Sequence, residues 1–107
     1  MTINDGEIHK RLLRIAKDRN IIVIENESIT SLKGFYLQSM NDIKIIFLNM
    51  KLIRDVSELN FILAHELGHV ELHTLHTQKG NQSEIEKEAD EYAINLIREI
   101  GKDSLIF

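Results

Sequence analysis

From residue 6 to 19, Ile8, Leu12, Leu13, Ile15 and Ala16 recur at helical spacing among Lys and Arg, which predicts an amphipathic helix ending near Asn20. Three short β-prone stretches follow. Ile21 to Ile24 is a branched run, Gly34 to Ser39 follows a Lys-Gly turn, and Ile43 to Leu48 follows Met40-Asn41-Asp42, which reads as a hairpin connection. A second helical pattern starts at Asp55, paired with Glu58 as a capping box, or at Ser57. It runs to about Thr77, where Lys79-Gly80-Asn81 interrupts it. Ser83 with Glu86 repeats the capping-box pattern ahead of the stripe Ile85, Ala89, Tyr92, Ala93, Leu96, Ile97 and Ile100, which Gly101 stops. The order predicts an α+β fold: a small antiparallel sheet packed on an N-terminal helix, a central helix and a C-terminal acidic helix.

With 107 residues and 43% hydrophobic content, the chain is expected to form one domain over 1–107. It has no proline, no internal repeat and no low-complexity tract that would mark a linker. No segment approaches the roughly 18 apolar residues of a membrane span. MTINDGEIHK at the N-terminus has no apolar signal core, so a cytoplasmic location is the expectation. Without cysteine, only His, Asp and Glu remain as candidate metal ligands. The net charge is -4, and Glu84, Glu86, Glu88, Asp90 and Glu91 are clustered. Direct nucleic-acid binding normally needs a basic face, so this balance argues against it and is compatible with a basic protein partner.

The chemistry concentrates in His65-Glu66-Leu67-Gly68-His69, an H-E-x-x-H box inside the second helical pattern. Residues four apart on a helix stack one turn above each other, so His65 and His69 can offer two imidazole nitrogens to one Zn²⁺. Glu66, beside that metal, can take a proton from an acidified water, as the base of a metallopeptidase does. Phe61, Ile62 and Leu72 fall within roughly 60° of His65 on the helical wheel. Bare imidazoles on so apolar a face are costly to desolvate, and ligation compensates them. Gly68 inside a helix suggests close approach by another element.

A catalytic zinc site usually has three protein ligands. The extended box with Gly at 72 and His at 75 is excluded, since both positions are Leu. Among the downstream acids, Glu86 lies about 50° from the centre of its helix's apolar stripe, whereas Glu84, Glu88 and Glu91 lie beyond roughly 100°. Glu86 is therefore the candidate third ligand, with a capping role beside Ser83 as its alternative. Asp90, one turn on, is placed to accept the other ring N–H of a ligating histidine. Tyr36, Tyr92 and His73 are candidate hydrogen-bond donors to the transition state. Otherwise His73 and His76 read as surface residues at a helix C-terminus. His9 stands alone.

With the HELGH stretch, Leu72-His73 and Glu86-Lys87-Glu88-Ala89-Asp90 in view, the chain resembles the ImmA/IrrE family of small bacterial and phage zinc metallopeptidases, from about Gly34 to Ala93. The resemblance implies a minimal zincin-like core, Glu86 of the E-x-x-A-D pattern as third ligand and Asp90 as its supporting carboxylate. It also implies a protein substrate, typically a helix-turn-helix repressor of a mobile element. Two functions are therefore expected to compete. One is a zinc endopeptidase cleaving a regulatory protein, with Ile43 to Leu48, if it edges the sheet, pairing the extended substrate. The other is a non-proteolytic antirepressor or toxin–antitoxin-like binding module that keeps the zinc for stability. Glu66 favours the enzyme, since a purely structural site has no need of it.

Overall fold

Asn4 starts the first helix by accepting the Glu7 N–H at 2.8 Å, and α1 spans Asp5–Asp18. The computed structural model describes residues 3–73 and 81–103. Ile8, Leu12 and Ala16, spaced by four, form the buried stripe of α1. Asn20, at φ 59°, turns the chain into strand β1 (Ile21–Asn26), a left-handed position that asparagine tolerates. Strands β2 (Gly34–Gln38) and β3 (Lys44–Asn49) form the expected hairpin. Its loop is fastened by Ser39, whose Oγ accepts from the N–H groups of Asn41 and Ile43.

The sheet order is β1-β3-β2, so the all-antiparallel expectation is corrected to a mixed sheet. β2 and β3 are antiparallel, Tyr36 facing Ile46, but β1 and β3 are parallel, Val23 facing Ile46. The reason is which strand takes the centre. β3 carries Ile46 and Leu48, both with no exposure, and needs a neighbour on each side, whereas β2 begins with glycine and ends in glutamine. Residues 27–33 therefore carry the chain past the place of β3 before β2 turns back. Asn49, wholly buried, holds that crossing: its Oδ1 accepts from Ser28 N, and its Nδ2 donates to the carbonyls of Ser28, Thr30 and Leu32.

All the helices lie on one face of the sheet. On the other face, Ile22, Ile24 and Leu37 are exposed and Phe35 stacks on Phe47 at 5.1 Å. Helix α2 (Val56–Leu72) is the central element, burying Leu59, Leu63, Ala64, Leu67 and Val70. Asp55 caps it by accepting Glu58 N–H at 2.8 Å, while the Glu58 carboxylate accepts from Arg54 N–H, Lys33 and the Arg54 guanidinium. The helix ends at Leu72 rather than Thr77, because His73 leaves helical geometry at φ -130°, ψ 57°. The expected breaker at Lys79-Gly80 and the placing of His76 lie outside the described residues.

Helix α3 (Gln82–Asp103) packs Ile85, Ala89, Ala93 and Ile100 into the core. Its cap is Asn81, whose Oδ1 accepts Glu84 N–H at 2.9 Å, and not Ser83 as the capping-box pattern suggested. It also runs through Gly101 rather than stopping there. His9, unassigned from sequence, ties α1 to the rest through Asn60 Oδ1 at 3.0 Å and Glu25 at 2.6 Å. Among the described residues, no helix is long and apolar enough to cross a membrane.

Gly68 is where α2 and α3 meet, since a Cβ there would lie 3.1 Å from both Cβ and Cδ1 of Tyr92. The Tyr92 Cβ moves only with the α3 backbone. Gly68→Ala is therefore expected to destabilise by about 1–2 kcal/mol despite the better helix former. Gly101→Ala, whose Cβ would meet nothing within 4 Å, should instead stabilise by up to ~1 kcal/mol. Urea unfolding of the two variants checks the contrast, and equal shifts would refute it.

The donors around Glu58, chiefly Arg54 N–H and then Lys33, hold its carboxyl at about 2, down from 4.5. A lowered carboxyl pKa stabilises the fold above the unfolded value and ceases to do so as pH falls through the folded one. The urea-midpoint gap between wild type and Glu58→Gln should therefore be full at pH 7 and shrink as pH falls from 4.5 to about 2. A gap that does not change across that window would contradict this account.

Candidate functional site

The four-residue spacing on α2 brings the rings of His65 and His69 to a centroid distance of 4.7 Å, with their Nε2 atoms 3.1 Å apart. α3 delivers a carboxylate to the same point. Glu86 Oε2 lies 2.8 Å from His65 Nε2, and its Oε1 lies 3.2 Å from His69 Nε2. With Asn81 serving as the cap, Glu86 is free for this position, and Gln82 Nε2 steadies it at 3.1 Å. One turn on, Asp90 Oδ1 lies 2.8 Å from His65 Nδ1, the other nitrogen of that ring. The i, i+4 pair on α3 thus faces the i, i+4 pair on α2.

Glu66 is buried on the same turn, and His65, Glu66 and His69 present donor atoms within 4.8 Å of one another. Burial, reinforced by Glu86 and opposed by His65, pushes the Glu66 carboxyl up to about 7. Burial also lowers the His69 pKa against the pull of Glu86, favouring the neutral imidazole whose free lone pair can ligate. Two imidazole nitrogens and a carboxylate meeting at one point form a donor set of the chemistry that Zn²⁺ takes.

These groups line a cleft of about 640 Å³. Its far wall is Leu32 to Tyr36, which includes the start of β2, and its near wall is Phe61, Ile62 and the histidines of α2. Gly34 permits this narrow spacing, because a Cβ there would lie 2.6 Å from an Ile62 methyl. The strand beside the cleft is therefore β2, and the expectation that Ile43 to Leu48 forms that edge is corrected: its apolar side chains take it to the middle of the sheet.

The three donor candidates separate. Tyr36 lines the cleft, its hydroxyl donating to Gln38 Oε1 at 2.5 Å, and its pKa is raised by burial and by Asp42. Tyr92 packs under Gly68 and accepts from Arg19 at 2.7 Å, a bond that raises the Arg19 pKa; it is not among the residues lining the cleft. His73 is buried, which corrects its reading as a surface residue at a helix end. Its Nδ1 lies 3.2 Å from His69 Nδ1, and its Nε2 lies 3.5 Å from Glu88 Oε1. The sequence marks His73 as a candidate donor but carries no local signal for its pairing with Glu88, which follows from the exit of the chain from the helix at 73.

Neither the curated proteins nor the solved structures give a match to this chain. Residues 56–105, which contain α2, α3 and the convergent donors described above, match the model of the family described as Peptidase U49. The chain is thus similar to a peptidase family over the stretch that builds its site, and this supports a peptidase acting on a protein substrate.

Proposed function

We propose that this chain is a zinc-dependent endopeptidase of ImmA/IrrE type that cleaves a regulatory protein, a helix-turn-helix repressor of a phage or mobile element. The observation that carries the metal reading is the meeting of His65 Nε2, His69 Nε2 and the Glu86 carboxylate within 2.8–3.2 Å. These three residues would hold Zn²⁺, and Asp90 would fix the His65 ring. When bound, the metal supplies Lewis acidity toward a peptide carbonyl and acidifies water.

The remaining work belongs to the side chains around it. Glu66 takes the proton of the attacking water on its carboxylate and returns it to the leaving nitrogen. Tyr36 exchanges Gln38 for the substrate carbonyl as hydrogen-bond acceptor. The hydrogen bonds from Asn49 N to Lys33 O and from Ser39 N to Ile43 O set the alternation of the β2–β3 ladder. By that alternation the backbone groups of Gly34, Tyr36 and Gln38 turn away from β3, toward a substrate strand added at the free edge. An extended segment is what such an edge accepts, so the cut falls in a linker or a transiently unfolded part of the repressor. A net charge of -4 suits a basic DNA-binding partner better than DNA itself.

Purified protein is expected to hold about one Zn²⁺ per chain, and His65→Ala, His69→Ala and Glu86→Ala to lose it while Glu84→Ala keeps it. Metal analysis that finds full occupancy in Glu86→Ala would show that the third ligand is misassigned. Glu66→Gln should retain zinc and fold yet lose hydrolysis, measured by mass spectrometry of fragments after incubation with the genomically adjacent repressor. Cleavage by Glu66→Gln at the wild-type rate would remove the mechanism. Binding of the repressor without fragments, unaffected by chelator, would leave the antirepressor function instead.

A further inference from the structure

We propose that His73 and Glu88 form a relay that orients His69, as Asp90 orients His65; this rests on the reading of His65, His69 and Glu86 as a metal site. An imidazole that offers its Nε2 lone pair must carry its proton on Nδ1, and something must accept that proton's hydrogen bond to fix the ring. For His65 the acceptor is the Asp90 carboxylate at 2.8 Å. For His69 the group in the corresponding place is another imidazole, with His73 Nδ1 at 3.2 Å.

Two facing Nδ1 atoms cannot both carry protons. With the His69 proton on Nδ1, that N–H donates to His73 Nδ1, and the His73 proton is displaced to its Nε2. That atom is buried, within a side chain only 5% exposed, and has no hydrogen-bond partner. A buried N–H without an acceptor is costly, and the group facing it is Glu88 Oε1 at 3.5 Å. The Glu88 side chain is 53% exposed, so closing the remaining gap by a small rotation gives a charge-assisted bond of the usual length, about 2.7–2.9 Å. The sequence of groups is then His69 Nε2, His69 Nδ1–H, His73 Nδ1, His73 Nε2–H and Glu88 carboxylate.

The position of His73 excludes it as a ligand of the same centre. It meets His69 at Nδ1, whereas His65 and Glu86 meet that ring at Nε2. The backbone supports the placement, since His73 leaves helical geometry but keeps its N–H on His69 O at 2.8 Å, which holds the two residues together. His73 is thus a positioning residue acting through His69.

The test is the zinc dissociation constant of the whole chain by chelator competition, with fold followed by circular dichroism of the metal-free protein. His73→Ala is expected to weaken zinc about 10–100-fold, the usual effect of losing a group that orients a ligating histidine. His73→Asn, whose amide oxygen falls where Nδ1 was, should recover most of that loss. His73→Gln, which reaches toward Glu88 but offers nothing at the Nδ1 position, should not. Long-range ¹⁵N NMR of the zinc-loaded wild type should show the His69 proton on Nδ1 and the His73 proton on Nε2. Unchanged zinc affinity in a folded His73→Ala, with the wild type binding normally, would overturn the relay alone. Failure of the wild type to bind zinc would overturn the metal site and the relay together. If His73→Ala does not fold, the Asn and Gln variants decide, and equal weakening in both refutes the proposal. Lost hydrolysis with zinc affinity intact would place His73 on the substrate and also refute it.

Discussion

A carboxylate carried by one helix reaches two imidazoles carried by another only when the helices cross closely, so the candidate site rests on the packing of α3 against α2. Gly68 removes a side chain where Tyr92 packs, and Ala64, Ala89 and Ala93 are small and fully buried. Gly68 stands one residue before His69, and Tyr92 two residues after Asp90. The tightest contact between the helices is therefore adjacent to the converging donors on both. Helices are stiff and interiors densely packed, so a displacement there is carried to Glu86 and Asp90 rather than absorbed locally.

Among the described residues four polar side chains are buried, and they divide by what burial does to them. Asn49 engages the carbonyls and an N–H of the crossing loop, and Asn60 joins His9 to the Asp5 carbonyl. Both are satisfied, and both hold backbone segments in place. Glu66 and His73 are different. Burial pushes the Glu66 carboxyl up to about 7, and His73 has a nitrogen without a partner. Both of these line the cleft, so the buried carboxyl with a raised pKa and the buried ring with an orphaned nitrogen gather where chemistry is expected.

Helical periodicity made much of this legible before the structure. The stripe in residues 6–19 becomes the buried face of α1, and the angular position of Glu86 on its own stripe brings it to His65. Such inferences stay within one helix, where geometry is local. Strand order was not legible, because the preference of β3 for the centre depends on what covers it from elsewhere in the chain. The cap of α3 went to Asn81 over Ser83, a choice between two good capping residues that spacing alone does not make. His73 reads as exposed when the helix is carried to Thr77, whereas Glu88 lies on the solvent side as its angle on the wheel indicates and still comes within 3.5 Å of the buried His73 ring.

The converging donors come from residues 65–90, inside the stretch 56–105 that is similar to a peptidase family, whereas the opposing wall, which includes Tyr36, comes from residues 32–36, outside it. The two pieces touch at Gly34 against Ile62 and at Lys33 with Glu58, and neither contact involves a group that meets at the centre. The molecule is thus modular on the scale of a few strands and turns. A different edge segment, provided it keeps a glycine at the crossing, would reshape the groove and leave every bond among His65, His69, Glu86 and Asp90 as it stands. In a fold this small, the groove can diversify through a handful of wall positions around Tyr36 while the convergent donors on the two helices keep their places.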